Sequence, residues 1–338
     1  MDNLTHTLTA VAISQTGLNR KTRFATLALI LGANAPDIDI LCGFKDSVAY
    51  LKYHRGITHS FVGITALAIV ISGLIYWLGR KVPPKSSLPV NSGWLLLAAS
   101  LGTGSHLLLD FTNAYGVRPF LPFSGRWYAW DIMPIIDPPL LLLLILGLAL
   151  PWLLRLVSEE VGAHQPRRAA GAIFCLSALF GLWGIRDFAH RRALSILDSR
   201  TYAGEVAQRF SALPVAVNPF SWTGVVETDT WFHVVSANAL EPDHAPDDLE
   251  AFQKPQPSPA LAAAMRTRGG TVFLEFARFP WAQVDESEQG YLVSLRDLRF
   301  FHPSSRSRGF TFEVELDRNL HPRSEAFYFV APPKAEKE

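Results

Sequence analysis

Seven ionisable side chains in the first third of the chain are of the types that bind divalent metal ions. They occur in short motifs within or beside otherwise apolar segments. Imidazole and carboxylate groups are ligands that zinc and other divalent first-row metals prefer. An ionisable group in an apolar segment long enough to span a membrane is costly, so each is a candidate functional residue. The seven are His6, Asp37, Asp39, His54, His59, His106 and Asp110.

The spacing of these residues indicates which of them can meet. His106 and Asp110 are four residues apart and therefore project from one face of a helix. His54 and His59 are five apart, about 140° around a continuous helix, so one of them must lie in the loop before the helix. Pro36 should end a helix at Ala35 and leave the two aspartates that follow at its broken end.

Long apolar runs must position these groups. About 20 apolar residues cross a membrane, and four runs approach that length: 57–78, 94–111, 138–154 and 169–185. Residues 4–17 and 24–35 are shorter and predict a helical hairpin whose tip carries Arg20, Lys21 and Arg23. The sequence therefore predicts an α-helical polytopic membrane domain, formed by an N-terminal helical hairpin and four spans.

This topology brings all seven groups to one membrane face. Each residue alone could instead be a packed histidine or a helix cap. Together they predict a metal site, most simply for zinc, with one or two ions. The same face receives the loop after Asp110, which carries Arg118, and the segment that carries Arg55. Guanidinium groups suit phosphate oxygens, although Arg118 could simply be a positive residue that flanks a span.

Composition separates the chain into two parts. Residues 1–194 hold 17 Lys and Arg against 10 Asp and Glu, whereas residues 195–338 hold 14 against 20. Only 18% of all residues are charged, which argues against an ordinary cytosolic enzyme. Short alternating segments at 231–236, 271–276, 291–295, 310–316 and 326–330 predict strands, with a loop at 241–259 and a frayed tail over the last six residues. We expect a membrane domain at 1–194 and a smaller, mostly β domain at 195–338.

The motifs also resemble a known family. It is the LexA-regulated, inner-membrane-associated metal-dependent hydrolase family of bacteria, the YdjM type. The resemblance covers roughly residues 1–155 and implies a multi-helix membrane protein with a hydrolase-like metal centre. It rests on Asp2-x-x-Thr5-His6, Asn34-x-Pro36-Asp37-x-Asp39, His54-Arg55-x-x-Thr58-His59-Ser60, His106-x-x-x-Asp110 and Asn113-x-Tyr115-Gly116.

A more distant likeness concerns the order of the ligands. A histidine, an acidic residue, another histidine and then H-x-x-x-D is similar to the order in zinc-dependent phospholipase C. On that likeness the ligands would be His6, Asp39, His54 or His59, His106 and Asp110. The chain lacks the further histidine and the second H-x-x-x-D of that family, so one or two ions are expected rather than three.

Two functions remain open at this stage. The first is a membrane-bound hydrolase of a phosphoester, such as a phospholipid headgroup or a lipid-linked phosphate. In it Arg55 and Arg118 would neutralise charge, and Asp37 or Asp39 would orient or deprotonate water while the other binds metal. The second is a membrane scaffold with a structural metal and a C-terminal domain that binds a protein partner. We expect no nucleic-acid partner.

The charge distribution also predicts where the site faces. We expect a multi-pass protein of the bacterial inner membrane. Loops at the hairpin-tip end carry nine Lys and Arg against five at the metal end, or eight when residues 186–192 are included. This bias predicts that the metal face and the C-terminal domain are extracytoplasmic.

Overall fold

The computed structural model describes residues 1–83, 88–161, 168–241, 247–301 and 310–328. The chain forms two compact units. The first contains Met1–Asp39, Arg55–Phe188 and Ala216–Pro219, and the second contains Ile40–His54, Ala189–Val215 and Phe220–Glu338. The predicted division into 1–194 and 195–338 stays a prediction. That division assigns residues 40–54 to the N-terminal domain, whereas the structure groups them with the C-terminal part of the chain.

The first unit is built from helices. Its helices, in the numbering of the whole chain, are α1 (Asn3–Gln15), α2 (Ala25–Asn34), α4 (Phe61–Gly79), α5 (Ser92–Phe111), α6 (Pro138–Val161) and the first part of α7 (Arg168–Asp198). Short polar side chains fix three of the starts, because Asp2, Ser60 and Asn91 each accept a hydrogen bond from a main-chain N–H in the first turn.

Four described helical segments are long and apolar enough to cross a membrane: Ala25–Phe44, Phe61–Gly79, Ser92–Phe111 and Ala169–Asp198. The predicted membrane domain followed by a β domain is thus confirmed, but two details differ. The predicted span 138–154 corresponds to a shorter apolar stretch, Pro138–Pro151. The segment predicted to be too short, 24–35, continues as a 3-10 helix over Ala35–Phe44. Its α-helix does end at Asn34, as Pro36 predicts.

Two glycines bring α2 and α5 into close contact. A Cβ on Gly32 would lie 2.6 Å from the carbonyl oxygen of Ala99, and one on Gly102 would lie 2.5 Å from that of Leu29. Small residues allow the backbones of apolar helices to approach in this way. One turn beyond the crossing, the Nδ1–H of His106 reaches the carbonyl oxygen of Ala33 at 2.7 Å. The crossing therefore determines where the imidazole lies.

The second unit contains two four-stranded antiparallel sheets. One has the order β3-β4-β5-β6 and the other β10-β9-β8-β7. Their strands are β3 (Arg209–Pro214), β4 (Ser221–Glu227), β5 (Trp231–Asn238), β6 (Asp247–Gln253), β7 (Pro280–Ser287), β8 (Gly290–Asp297), β9 (Thr311–Leu316) and β10 (Pro322–Tyr328). The pair β1 (Thr201–Tyr202) and β2 (Glu205–Val206) precedes them. Trp222 is buried in the first sheet, and Phe312 is buried in the second.

The described residues of this unit also form the last part of α7, from Ala189, and the helices α3 (Ser47–Tyr53), α8 (Pro259–Arg266) and α9 (Arg268–Phe276). Helix α3 contacts α9 and β10. There the main-chain N–H of Phe327 donates to Ser47 Oγ over 3.0 Å, and Arg268 pairs with Asp46 at 3.2 Å.

The strands at 231–236, 291–295 and 310–316 are confirmed, apart from Phe310, which directly precedes β9. Residues 326–328 lie in β10, whereas 329–330 and the predicted tail lie outside the described residues. Two predictions were wrong. Residues 271–276 form the end of α9, because Val272, Phe273 and Phe276 follow helical spacing and all are buried. The predicted loop 241–259 contains β6, which pairs with β5.

Candidate metal centre

Four of the predicted residues offer ligand atoms to one point in the first unit. These atoms belong to Asp37, His59, His106 and Asp110, and all lie within 4.8 Å of one another. Asp37 follows α2 in the 3-10 helix, His59 ends the 3-10 turn Ile57–His59 before α4, and the other two lie on α5. The predicted pairing of His106 and Asp110 on one helix face therefore holds in the structure.

Contacts at the Nδ1 atoms, on the side of each ring away from the cluster, fix the orientation of both histidines. His106 donates from Nδ1 to the carbonyl oxygen of Ala33, which leaves the lone pair of Nε2 for the cluster. His59 Nδ1 lies 3.1 Å from Asp39 Oδ2, an oxygen that also accepts from Thr58 Oγ1 at 2.7 Å. Each imidazole thus turns its Nε2 toward the same point.

The distances among the four ligand atoms match a metal site. The two Nε2 atoms are 3.0 Å apart. Asp37 Oδ1 lies 3.5 Å from each of them, and Asp110 Oδ2 lies 3.4 Å and 3.5 Å from those of His59 and His106. Ligands at zinc bond lengths around a regular tetrahedron are roughly 3.3 Å apart. The residues present therefore fit a single tetrahedral ion.

A fifth predicted ligand, His6, lies against this set. Its ring stacks on that of His106 with the centroids 3.9 Å apart, and its Nε2 is 3.4 Å from Asp110 Oδ1. Neither of its ring nitrogens has a hydrogen-bond partner among the described residues, although the side chain is fully buried. Burial, followed by repulsion from His106, lowers the pKa of His6 to about 4, which keeps the imidazole neutral. Neutral imidazole is the form that binds metals.

The negative charge of the cluster has a large effect on the pKa of His59. Burial acts to lower its pKa, but the hydrogen bonds with the carboxylates of Asp110, Asp37 and Asp39 outweigh burial and raise the pKa to about 10. Without a metal, the carboxylates thus retain a proton on this imidazole. A divalent cation would supply the same compensation with a larger charge.

Arg55 anchors the cluster. Its Nη2 donates to Asp110 Oδ1 at 3.0 Å, and its Nη1 donates to Asn113 Oδ1 at 2.9 Å. Its main-chain N–H donates to Asp39 Oδ2 at 2.9 Å. Because both terminal nitrogens have protein acceptors, this arrangement suits holding Asp110 in place more than meeting a free anion. The predicted catalytic role of Arg55 is untested.

Comparison with known proteins shows the family to which the chain belongs. Residues 1–191, more than half of the chain, match the YdjM inner membrane protein family. The chain belongs to that family. The matched region contains all nine residues predicted for the site, and the family supports a location in the inner membrane. The resemblance inferred from the motifs is confirmed.

The C-terminal part has a different relative. Residues 259–337 match the YfhP C-terminal alpha/beta plait domain. The protein described as "Uncharacterized protein YfhP", from Bacillus subtilis (strain 168), is 33% identical over 132 residues. That alignment covers 39% of this chain and 37% of the relative, so the chain spans just over a third of the length of the curated relative it matches. No solved structure matches the chain.

Two other predicted residues are not among these four. His54 directly follows α3, and its ring stacks on that of Tyr50 with the centroids 4.6 Å apart. Arg118 lies over the ring of Trp127, 4.5 Å from its centroid. Their roles as ligand and catalytic residue stay predictions. Thr58 has no predicted role, because its one local signal is that it precedes His59. Its contact with Asp39 depends on the fold.

Proposed function

We propose that this protein is a membrane-bound, metal-dependent hydrolase of a phosphoester at the membrane surface, such as a phospholipid headgroup or a lipid-linked phosphate. The observation that carries the proposal is the near-tetrahedral set formed by Asp37, His59, His106 and Asp110. A divalent ion in such a site lowers the pKa of water and polarises a phosphoryl oxygen. We propose zinc as that ion.

The approach to the set supports a catalytic role. The side chain of Asp37 is 17% exposed, whereas those of His59, His106 and Asp110 are at most 1% exposed. Substrate and water would therefore reach the site beside Asp37. In a hydrolase the ion would be held by His59, His106 and Asp110, and the carboxylate of Asp37 would hold a water molecule and accept a proton from it. Asp39, which lies behind His59, would act by orienting that imidazole.

The surroundings of His59 support a lipid substrate. Ile57, Phe61, Phe120 and Phe123 are exposed, Phe123 by 85%. The loop that contains the last two is held beside α4, because the N–H of Phe61 donates to the carbonyl oxygen of Pro119 at 2.9 Å. Exposed apolar side chains near a polar cluster suit an amphiphile whose headgroup enters while its chains stay in lipid. Arg118 and the exposed Arg126 on the same loop would favour an anionic headgroup.

A second candidate function is a membrane scaffold with a structural metal. It is favoured by the completeness of the set, since four protein ligands can fill a tetrahedral site, whereas catalytic zinc sites usually have three and an open position. In this case the acidic C-terminal part would bind a protein partner.

Asp37→Asn separates the two functions. Purified full-length wild type and variant, loaded with zinc, would be tested with a panel of phosphoester and carboxyl-ester lipids, and metal content would be measured in parallel. The hydrolase proposal predicts phosphoester turnover by wild type, and a variant that retains most metal but loses most turnover. Loss of metal from the variant, together with no turnover by wild type, would support the scaffold. A carboxyl-ester substrate would contradict the phosphoester proposal.

We propose further that the metal end and the C-terminal domain face away from the cytoplasm. The larger number of Lys and Arg at the hairpin-tip end supports this orientation. A reporter fused after Glu338 that is active only in the cytoplasm would reverse it.

A further inference from the structure

Two loops join into one surface at the end of the helices that lies away from the metal cluster. They are residues 16–24, between α1 and α2, and the described residues between α4 and α5, which are 80–83 and 88–91. Thr22 links them, because its hydroxyl donates to the carbonyl oxygen of Pro89 at 3.0 Å and accepts from the N–H of Asn91 at 2.9 Å. Arg23 adds hydrogen bonds to the carbonyl oxygens of Val82 and Pro83. We call this surface the basic end.

Positive charge is concentrated at the basic end. Arg20, Lys21, Arg80 and Lys81 are exposed there. The sequence contains no Asp or Glu at residues 3–36 or 47–109. The helices α1, α2 and α4, the two loops, and α5 as far as Leu109 therefore carry no carboxylate. Arg23 links the two loops by hydrogen bonds, whereas no hydrogen bond or ion pair among the described residues links the loops through these four side chains. Their charged groups are therefore accessible to a ligand.

Aromatic rings place these cations at the depth of lipid headgroups. Lys81 Nζ lies 3.5 Å from the ring centroid of Trp77, and Lys21 Nζ lies 5.2 Å from that of Trp94. Trp77 is 56% exposed and follows the exposed, apolar Leu74 on α4. Tryptophan is enriched where hydrocarbon meets headgroups. The ammonium groups consequently lie just beyond the apolar surface of the helices.

We propose that the basic end binds anionic phospholipid headgroups, those of the phosphatidylglycerol type. The ammonium and guanidinium groups would donate to the headgroup phosphate while the acyl chains follow the exposed apolar side chains of α4. A depression of about 410 Å³ beside Gly17, lined in part by Arg20 and Lys21, offers room for a headgroup. A membrane lipid fits better than an acidic protein, because the charges adjoin helix surfaces that themselves require lipid. The proposal is independent of the metal chemistry.

Native mass spectrometry of the full-length protein in a neutral detergent tests this proposal. The protein would be titrated with phosphatidylglycerol or phosphatidylcholine. The double variants Arg20→Gln/Lys21→Gln and Arg80→Gln/Lys81→Gln would be compared with the charge-matched control Arg266→Gln/Arg323→Gln, whose residues are exposed in the second unit. Each lost cation should weaken binding of phosphatidylglycerol roughly fivefold, equivalent to about 1 kcal/mol.

We expect wild type and control to bind phosphatidylglycerol more tightly than phosphatidylcholine, and each double variant to lose most of that preference. Equal binding of the two lipids by wild type, or an unchanged preference in both double variants, would overturn the proposal. Two further probes test the source of the ligand. Inorganic phosphate and an oligoglutamate peptide should not displace the lipid at equal concentration, and displacement by either would indicate a soluble anion or an acidic protein instead.

Discussion

The Nε2 atoms of His59 and His106 lie 3.0 Å apart at the centre of the cluster. His106 is bound through Nδ1 to a carbonyl oxygen, and His59 is held through Nδ1 by Asp39. The two nitrogens therefore point at each other, an arrangement that requires a positive charge between or beside them. A proton supplies it in the metal-free site, and a divalent ion would replace that proton.

We expect metal affinity to increase with pH. The pKa of His59 is raised to about 10 in the metal-free site, so below that pH a metal must displace a proton from the imidazole. With one proton displaced, the apparent affinity should increase about tenfold for each unit by which the pH is raised. Competition with a chromogenic chelator between pH 6 and pH 8 measures this, after correction for the chelator's own protonation. An affinity that stays constant over this range would show that no proton is displaced.

Gly102→Ala should disturb the cluster from a distance. The added Cβ would lie 2.5 Å from the carbonyl oxygen of Leu29, so α2 and α5 must separate, at a cost of about 1–3 kcal/mol. Because His106 lies one turn farther along α5 and is bound to α2, metal affinity should fall as well. Gly104→Ala on the same helix is the matched control, since nothing lies within 4 Å of its added Cβ. Thermal unfolding in detergent and metal titration of both variants check this, and equal behaviour of the two would contradict it.

Arg55→Gln should weaken metal binding about 10- to 100-fold, the usual effect of removing a group that holds a ligand in place. The reason is the hydrogen bond from Arg55 to Asp110 Oδ1, a contact that Gln cannot make with the same charge. Arg55→Lys keeps the charge and should recover part of the affinity, whereas Arg118→Gln should leave it unchanged. Metal titration of the three variants measures this. If Arg118→Gln loses as much affinity as Arg55→Gln, the anchoring role is wrong.

Ser60→Ala tests whether the serine beside His59 is a nucleophile. Its hydroxyl donates to the carbonyl oxygen of Ile57 at 2.7 Å and accepts from the N–H of Gly63 at 3.0 Å, so it caps α4. We expect the variant to keep its metal and to lose about 1 kcal/mol of stability. Thr65→Ala, farther along α4, is the control and should change stability less. Calorimetry, metal analysis and any turnover found for wild type are the measurements. Abolished turnover with metal still bound would indicate a nucleophilic role.

Local spacing predicted much of this site, and the remainder depends on the fold. The pair His106 and Asp110 follows from helical periodicity, and the break after Asn34 follows from Pro36. Local spacing does not indicate whether Asp37 or Asp39 joins the four-residue set. The chain continues past Asn34 as a 3-10 helix, in which residues two apart point in different directions.

Local sequence patterns were also insufficient for one pair of histidines and for part of the C-terminal domain. The spacing of His54 and His59 does not indicate which of them joins the four-residue set. His59 does, because it ends the 3-10 turn before α4, whereas His54 directly follows α3. Residues 271–276 were predicted as a strand because a short apolar run fits either periodicity. Thr267, which caps α9, was the missed signal.

The metal content of the purified wild-type protein shows whether the cluster of Asp37, His59, His106 and Asp110 holds an ion. Full-length protein would be prepared in detergent without chelators, dialysed against metal-free buffer and analysed for zinc, manganese and iron. We expect about one tightly bound divalent ion per chain, and loss of most of it in His106→Ala and in Asp110→Ala, but not in the exposed control His321→Ala. Wild-type protein that neither contains nor takes up a divalent metal, or variants that retain it like the control, would show that the cluster is not a metal site.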